Sequence, residues 1–339
     1  MSDRLLILRG DEISDLLRGR ELEMIEEVRK AYVAHHWGRS SLPLSSFLRF
    51  PGDDTNRIIA LPAFLGGELG VAGLKWISSF PGNVRKGKAR ASAVLLLNSC
   101  EDGHVEAILE SSLISAKRTA ASAALAAQRL SGDNPTDTVG LIGTGVINLE
   151  VAHFLRAALP AISRVVLFDL DPERAARFGE RLSGIGFTDV EVVPSRESVL
   201  AGCSLVSFAT TAIRPYVDDL SLCPPGATIL HISLRDLTPE AILTCDNITD
   251  DTDHVCRAQT SLHLTEERMG TRDFIRCTLA EICEGLAPPR AEDKAITVFS
   301  PFGLGILDLA VGKLALEAAR AAGRGTIVES FLPTEEGLV

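Results

Sequence analysis

Thr138–Glu150 reads TVGLIGTGVINLE. It holds a short β-type run (Val139, Leu141, Ile142), a Gly-x-Gly turn at Gly143 and Gly145, and a helix start at Ile147. This is the layout of a dinucleotide phosphate-binding turn. Gly143 permits the tight turn. Gly145 lets the backbone approach a pyrophosphate, which then meets free N–H groups at the helix N-terminus. The candidate cofactor residues here are Gly143, Thr144, Gly145, Val146 and Ile147. An amphipathic helix, NLEVAHFLRAALP, follows, and then a second strand, RVVLFDLD. Asp169 ends that strand, where a carboxylate accepts from the adenosine ribose 2′-OH and repels a 2′-phosphate. The stretch therefore predicts NAD rather than NADP. The third glycine of the fingerprint is replaced by Asn148. A small residue is usual there, because that position governs close helix–strand packing. A doubly wound domain that binds no nucleotide would carry the same strand–turn–helix.

Working outward, strand-like runs near VEVVP, LVSFAT, TILHIS and NITDD alternate with helical segments. That alternation predicts a parallel sheet. AITVFSPFGLG reads as a strand and a glycine-rich turn, followed by a helix over Ile306–Ala322 that docks back on the first domain. On the N-terminal side the chain predicts a strand at LLILRG and one helix over Asp11–Trp37. Strands follow at SFLRF, RIIALPAFL, GVAGLKWIS, ASAVLLLNS and VEAILE, separated by Gly, Pro, Asn and Asp turns. An alanine-rich helix, Ser112–Leu130, crosses into the nucleotide domain, and SGDNPTD breaks it.

The chain has 339 residues, enough for two domains with sizeable cores. A net charge of −11 argues against a nucleic-acid partner. No apolar run is long enough to span a bilayer, and the N-terminus lacks the pattern of a secretion signal. Seven scattered cysteines without a C-x-x-C read as reduced thiols in a cytoplasm.

Three basic residues stand out by context. Lys75 lies inside the apolar strand GLKWIS, a costly place unless an anion meets it. Arg118 is the long side chain among the small residues of SAKRTAASAA. Arg49 ends the strand SFLRF. Guanidinium groups suit bidentate carboxylate binding. Each of the three reads equally as a structural salt bridge or a solvated cation; together they suggest a substrate with several carboxylates. Asp236 falls just past the strand TILHIS, where ligands of open parallel sheets bind. It is a candidate proton carrier, with a helix cap or turn as the alternative. His231 and the run Asp250–His254 lack metal-ligand spacing, so no metal is expected.

The set GLKW, PGN, ASAVLLLNSCEDGHVEAILESSLISAKRTAASAA, GLIGTGVIN, SLRD and ITVFSPFGLGILDLA, in that order, resembles the ornithine cyclodeaminase/μ-crystallin family over residues 5 to 325. The resemblance implies a homodimer with an α/β fold. A Rossmann-type NAD domain, residues 126–304, would be inserted into a mixed α/β substrate-binding and dimerisation domain, residues 1–125 with 305–339. It further implies Asp236 and Lys75 as catalytic residues, Arg49, Lys75 and Arg118 on substrate carboxylates, and Thr119 and Ser233 beside Asp169 in the NAD set. RIIALPAFLGG, GVAGLKWISSFPGN and LESSLISAKRTAAS are most similar to a dehydrogenase branch whose substrate carries three carboxylates. The ornithine branch has a glutamate in an E-L-M-P motif; here the matching run is Ala60-Leu61-Pro62, which lacks that anchor. The alternatives are a cyclodeaminase, an alanine dehydrogenase, a ketimine reductase, or a non-enzymatic binder of cofactor and small ligand.

Overall fold

The computed structural model describes residues 4–131 and 136–332. The break expected at SGDNPTD falls in part on residues 132–135, outside the described residues. The chain opens with strand β1 (Leu5–Leu8) and helices α1 (Gly10–Leu17) and α2 (Glu21–His36). One helix is expected over Asp11–Trp37, but Gly19 takes φ +73° and parts it in two. Strands β2 (Ser40–Ser41), β3 (Ser46–Phe50), β4 (Asp53–Leu65), β5 (Val71–Ser79), β6 (Ala91–Asn98) and β7 (Val105–Glu110) follow, and then helix α3 (Ser112–Leu130).

The nucleotide region holds β8 (Thr138–Ile142), α4 (Val146–Ala158), β9 (Arg164–Phe168), α5 (Pro172–Gly184), β10 (Asp189–Val192), α6 (Arg196–Gly202), β11 (Leu205–Phe208) and β12 (Thr228–His231). It continues through α7 (Pro239–Leu243), β13 (Asp246–Thr249), α8 (Thr252–Val255), α9 (Ser261–Met269), β14 (Ile275–Thr278), α10 (Leu279–Cys283) and β15 (Thr297–Ser300). Helix α11 (Gly305–Ala322) and strand β16 (Thr326–Val328) close the described chain.

Two compact units result: Met1–Arg118 with Leu304–Val339, and Thr119–Gly303. The sequence places the division at residues 125/126; in the structure it falls at Arg118, because the later turns of α3 pack into the second unit.

The first unit is a mixed sheet of order β16-β1-β7-β6-β5-β4-β2, with β3 paired to β4. Strands β4, β5 and β6 are antiparallel and alternate in facing. Ala93, Leu95 and Leu97 are buried on one face, where α11 packs. Glycines make that contact close. A Cβ on Gly312 would lie 2.3 Å from Leu95 Cδ2, and one on Gly73 would lie 2.8 Å from Leu309 Cδ2. The opposite face is also apolar. Leu48, Phe64, Trp76 and Val94 share it by register, and all are exposed.

The second unit is an all-parallel sheet of order β10-β9-β8-β11-β12-β15-β13-β14. Its central strands are buried along their whole length, as parallel strands covered on both faces must be. The order reverses at β8, with β9 on one side and β11 on the other. The crevice at the strands' C-terminal ends beside such a reversal is where doubly wound sheets bind ligands.

Candidate functional site

In the second unit the strand β8 runs into the glycine turn. Gly143 has φ +91°, and a Cβ there would meet the Ala209 carbonyl oxygen at 2.6 Å, so glycine is required twice over. Gly145 differs. It has ordinary extended torsions (φ −93°, ψ 179°), and a Cβ there would meet nothing within 4 Å. The protein itself does not need a glycine at that position; a bound pyrophosphate would. Gly145 is the N-cap of α4 and offers no side chain to the helix's first N–H groups, which stay available to an anion. These features fit a dinucleotide.

Asn148, at the third fingerprint position, is fully buried with its amide saturated. It donates to the Ile142 and Gly143 carbonyls (3.0 and 2.7 Å) and accepts from Ser207 Oγ (2.7 Å). The residue thus ties the turn to β11 where a glycine would only let the helix pack close.

Asp169 follows β9. Its Oδ2 accepts from the Thr144 amide (2.8 Å) and hydroxyl (2.6 Å), and its Oδ1 from the Asp171 amide (3.0 Å). Burial works to raise its pKa, but these hydrogen bonds prevail and hold it below the usual value. The carboxylate is therefore fixed, charged, and keeps lone pairs for a ribose hydroxyl. Val146, Leu170 and Ile213 are exposed apolar residues just after β8, β9 and β11, an apolar border for an aromatic base.

Asp236 lies beyond β12 and is completely buried. It is not the cap of α7; Thr238 is, accepting from the Ala241 amide. The Asp236 carboxylate instead collects hydroxyls. Thr210 and Tyr216 (2.9 Å for Tyr216) donate to Oδ1, and Ser233 to Oδ2. His231 Nε2 stands 3.3 Å from Oδ2. Burial alone would raise this carboxyl's pKa, but His231, Ser233 and Thr210 outweigh it and hold it at about 2. Ser233, expected among the cofactor residues, is thus engaged with Asp236 and the Phe208 carbonyl.

The first unit carries a separate cluster. Lys75, central in β5, is 2% exposed, and Arg118, in α3, is 8% exposed. Both meet Asp308 of α11, which is fully buried. Lys75 Nζ donates to Oδ2 at 2.7 Å and Arg118 Nε to Oδ1 at 3.3 Å. Lys75 Nζ also lies 3.3 Å from Ser115 Oγ. Two cations on one carboxylate leave one net positive charge in a place shut off from water. Burial, reinforced by the Arg118 charge, pushes Lys75 down to about 8 despite Asp308.

Arg49 shares the sheet face of Lys75 by register, but it is exposed, and its guanidinium sits 5.8 Å from the centre of the Phe47 ring. The structure therefore groups two of the three expected cations. Thr119 follows Arg118 in α3 and is half-buried. The sequence reading missed Asp308, Thr210, Tyr216 and Ser300. An aspartate within the apolar run ILDLAVG is a signal for the first; a hydroxyl in a loop or at a strand end carries none. Among the described residues no group of three or more His, Cys, Asp or Glu is placed to hold a metal.

Residues 12–323 match the Ornithine cyclodeaminase/mu-crystallin family. The chain belongs to that family. One relative is the N-((2S)-2-amino-2-carboxyethyl)-L-glutamate dehydrogenase of Staphylococcus aureus, 28% identical over 98% of this chain and 100% of that protein. Among solved structures, the Δ1-pyrroline-2-carboxylate reductase of Thermococcus litoralis, in complex with NADH and L-proline, is 26% identical. It superposes with TM-score 0.88 over 95% of this chain and 99% of that one. An archaeal alanine dehydrogenase dimer with bound NAD is also 26% identical, with TM-score 0.86 over 97% and 100% of the two chains.

Gly145→Ala separates ligand from scaffold. Because the added Cβ meets no protein atom, the melting temperature should stay within the spread of neutral surface substitutions, while NAD⁺ affinity by calorimetric titration should fall about tenfold or more. Unchanged affinity would remove the pyrophosphate from this turn.

Proposed function

We propose that this chain oxidatively cleaves N-(2-amino-2-carboxyethyl)-L-glutamate to 2-oxoglutarate and L-2,3-diaminopropionate, a precursor of siderophores and peptide antibiotics. The chain is an NAD-dependent oxidoreductase of its family; the choice of substrate is the finer step. The observation that carries it is the net positive pair Lys75 and Arg118, held by one carboxylate out of water. Such a pair favours a carboxylate ligand. Arg49, exposed on the same sheet face, is proposed for a further carboxylate. The ornithine reading lacks its amine anchor at Ala60-Leu61-Pro62.

NAD⁺, held by Gly143, Thr144, Gly145, Val146, Ile147 and Asp169, with Thr119 and Ser233 beside them, supplies a hydride acceptor. Lys75 and Arg118 hold substrate carboxylates and so fix the glutamate-derived Cα–H in one orientation. Loss of that hydride and of the nitrogen's proton leaves a C=N bond on the substrate. Water adds to the carbon, and the carbinolamine collapses to the keto acid and the free amine. Asp236 takes the nitrogen's proton and returns one as the C–N bond breaks. Lys75 can do its part only while protonated, so carboxylate binding weakens as pH rises through about 8.

The exposed apolar face of Leu48, Phe64, Trp76 and Val94 supports a homodimer, because monomers rarely leave so continuous an apolar surface in water. The seven cysteines, none of them disulfide-bonded among the described residues, fit a reducing compartment such as the cytoplasm.

Incubation with the synthetic tricarboxylate and NAD⁺ should give 2-oxoglutarate, 2,3-diaminopropionate and NADH in equal amounts. Asp236→Asn should abolish this turnover and still bind NAD⁺. Proline and ammonia from ornithine, or turnover of alanine alone, would assign another activity of the family. Trp76→Glu should convert a dimer to a monomer in light scattering; a wild-type monomer rejects the proposed interface.

A further inference from the structure

Asp236 is fully buried with three hydroxyls on its oxygens, and these give a route for the proton that the activity proposed above moves there. The surroundings of Asp236 show how. Behind it, His231 Nε2 lies 3.1 Å from the Asp236 amide nitrogen and 3.3 Å from Asp236 Oδ2. One ring nitrogen cannot serve both at once. With a proton on Nε2 it donates to the carboxylate; without one, its lone pair accepts the amide N–H. Either state finds its partner on the same residue, and no side chain has to turn.

The other ring nitrogen is equally adaptable. His231 Nδ1 stands 3.0 Å from Ser300 Oγ, a hydroxyl that can donate or accept. The ring itself is held still. It is fully buried on β12, with the Phe208 ring edge-to-face at 6.3 Å. In front of the carboxylate stand the half-buried hydroxyls of Thr210, Tyr216 and Ser233. Burial, with the Asp236 charge adding to it, keeps the Tyr216 phenol protonated.

We propose that Asp236 and His231 form a buried store for one proton, which reaches the substrate through the Thr210, Tyr216 and Ser233 hydroxyls. This rests on the activity proposed above. As the C=N bond forms, the nitrogen's proton passes to a hydroxyl, that hydroxyl's own proton passes to Asp236, and the proton comes to rest on His231 Nε2. The electron pair of the cleaved C–H bond leaves with the hydride. On hydration the path runs in reverse and protonates the departing amine nitrogen. His231 is a positioning residue, since it acts through Asp236. A carboxylate held at about 2 carries no resting proton in the neutral range, so the ring nitrogen 3.3 Å behind it is the place for one.

The other titratable groups around the pair are few. Arg196 lies 4.9 Å over the Tyr216 ring. Beyond Ser300, Asp250 accepts from the Phe302 and Gly303 amides at 2.8 Å, and burial raises its pKa.

The test uses the full chain with NAD⁺. His231→Asn keeps hydrogen-bonding atoms but cannot store a proton. It should lower kcat on the order of tenfold or more, leave the KM for NAD⁺ unchanged, and erase the neutral limb of the kcat–pH profile. Ser300→Ala should keep that limb. A uniform fall in kcat with the limb intact makes His231 merely structural and overturns the proposal. A second measurement does not need turnover: ¹⁵N resonances of the His231 ring, assigned by their loss in His231→Asn. They should differ between the wild type and Asp236→Asn in the sense of a proton leaving Nε2, because the carboxylate that holds it there is gone. A ring in the same state in both overturns the store. If the tricarboxylate is not turned over but the ring resonances differ as stated, the substrate assignment fails and the proton store stands.

Discussion

One carboxylate organises the first unit. Asp308 is fully buried and meets both Lys75 and Arg118. Removing one partner from a buried ion cluster generally costs about 3–5 kcal/mol, because a charge is left without compensation. Here the cluster is already short of one anion: two cations face a single aspartate. Its partners come from far apart in sequence, 233 and 190 residues from Asp308. That separation explains why the first unit must be built from both chain segments, with α11 returning to β4, β5 and β6 after the whole nucleotide unit has been made.

The second unit applies the same device with opposite sign. Polar groups are gathered at the C-terminal ends of parallel strands, where no neighbouring turn of helix satisfies them. Asn148 locks the glycine turn to β11, and Asp169 locks Thr144. Asp236 draws in hydroxyls from Thr210, Tyr216 and Ser233. A fully connected network of this kind is rigid, and one left incomplete is costly. The edge of the sheet is therefore shaped before any ligand arrives.

Much of this is legible in the sequence because it is local. The Gly143–Gly145 turn, the parallel β-α alternation and the strand that buries Lys75 all follow from spacing and residue type. Asp169 at the end of β9 follows from its distance to the turn. What is not legible depends on tertiary contacts. Arg49 stacks on Phe47, two residues away on β3, but nothing near Arg118 in sequence says that it turns inward to Asp308. Asn148 breaks a local packing rule, and the Ser207 hydroxyl from which its oxygen accepts lies 59 residues away. The hydroxyls on Asp236 come from two loops, β11–β12 and β12–α7, and serine, threonine and tyrosine in loops are too common to be singled out. The split of the first long helix hinges on one glycine, Gly19, in the left-handed region.

The central claim is that the Lys75–Arg118–Asp308 cluster selects ligands by carboxylate count. Calorimetric titration of the NADH-bound protein with N-(2-amino-2-carboxyethyl)-L-glutamate and with alanine measures this directly. Each added carboxylate that gains a charge-assisted hydrogen bond is worth about 1.5–3 kcal/mol, so the tricarboxylate should bind at least about a hundredfold more tightly. Equal affinity for the two ligands would contradict the claim.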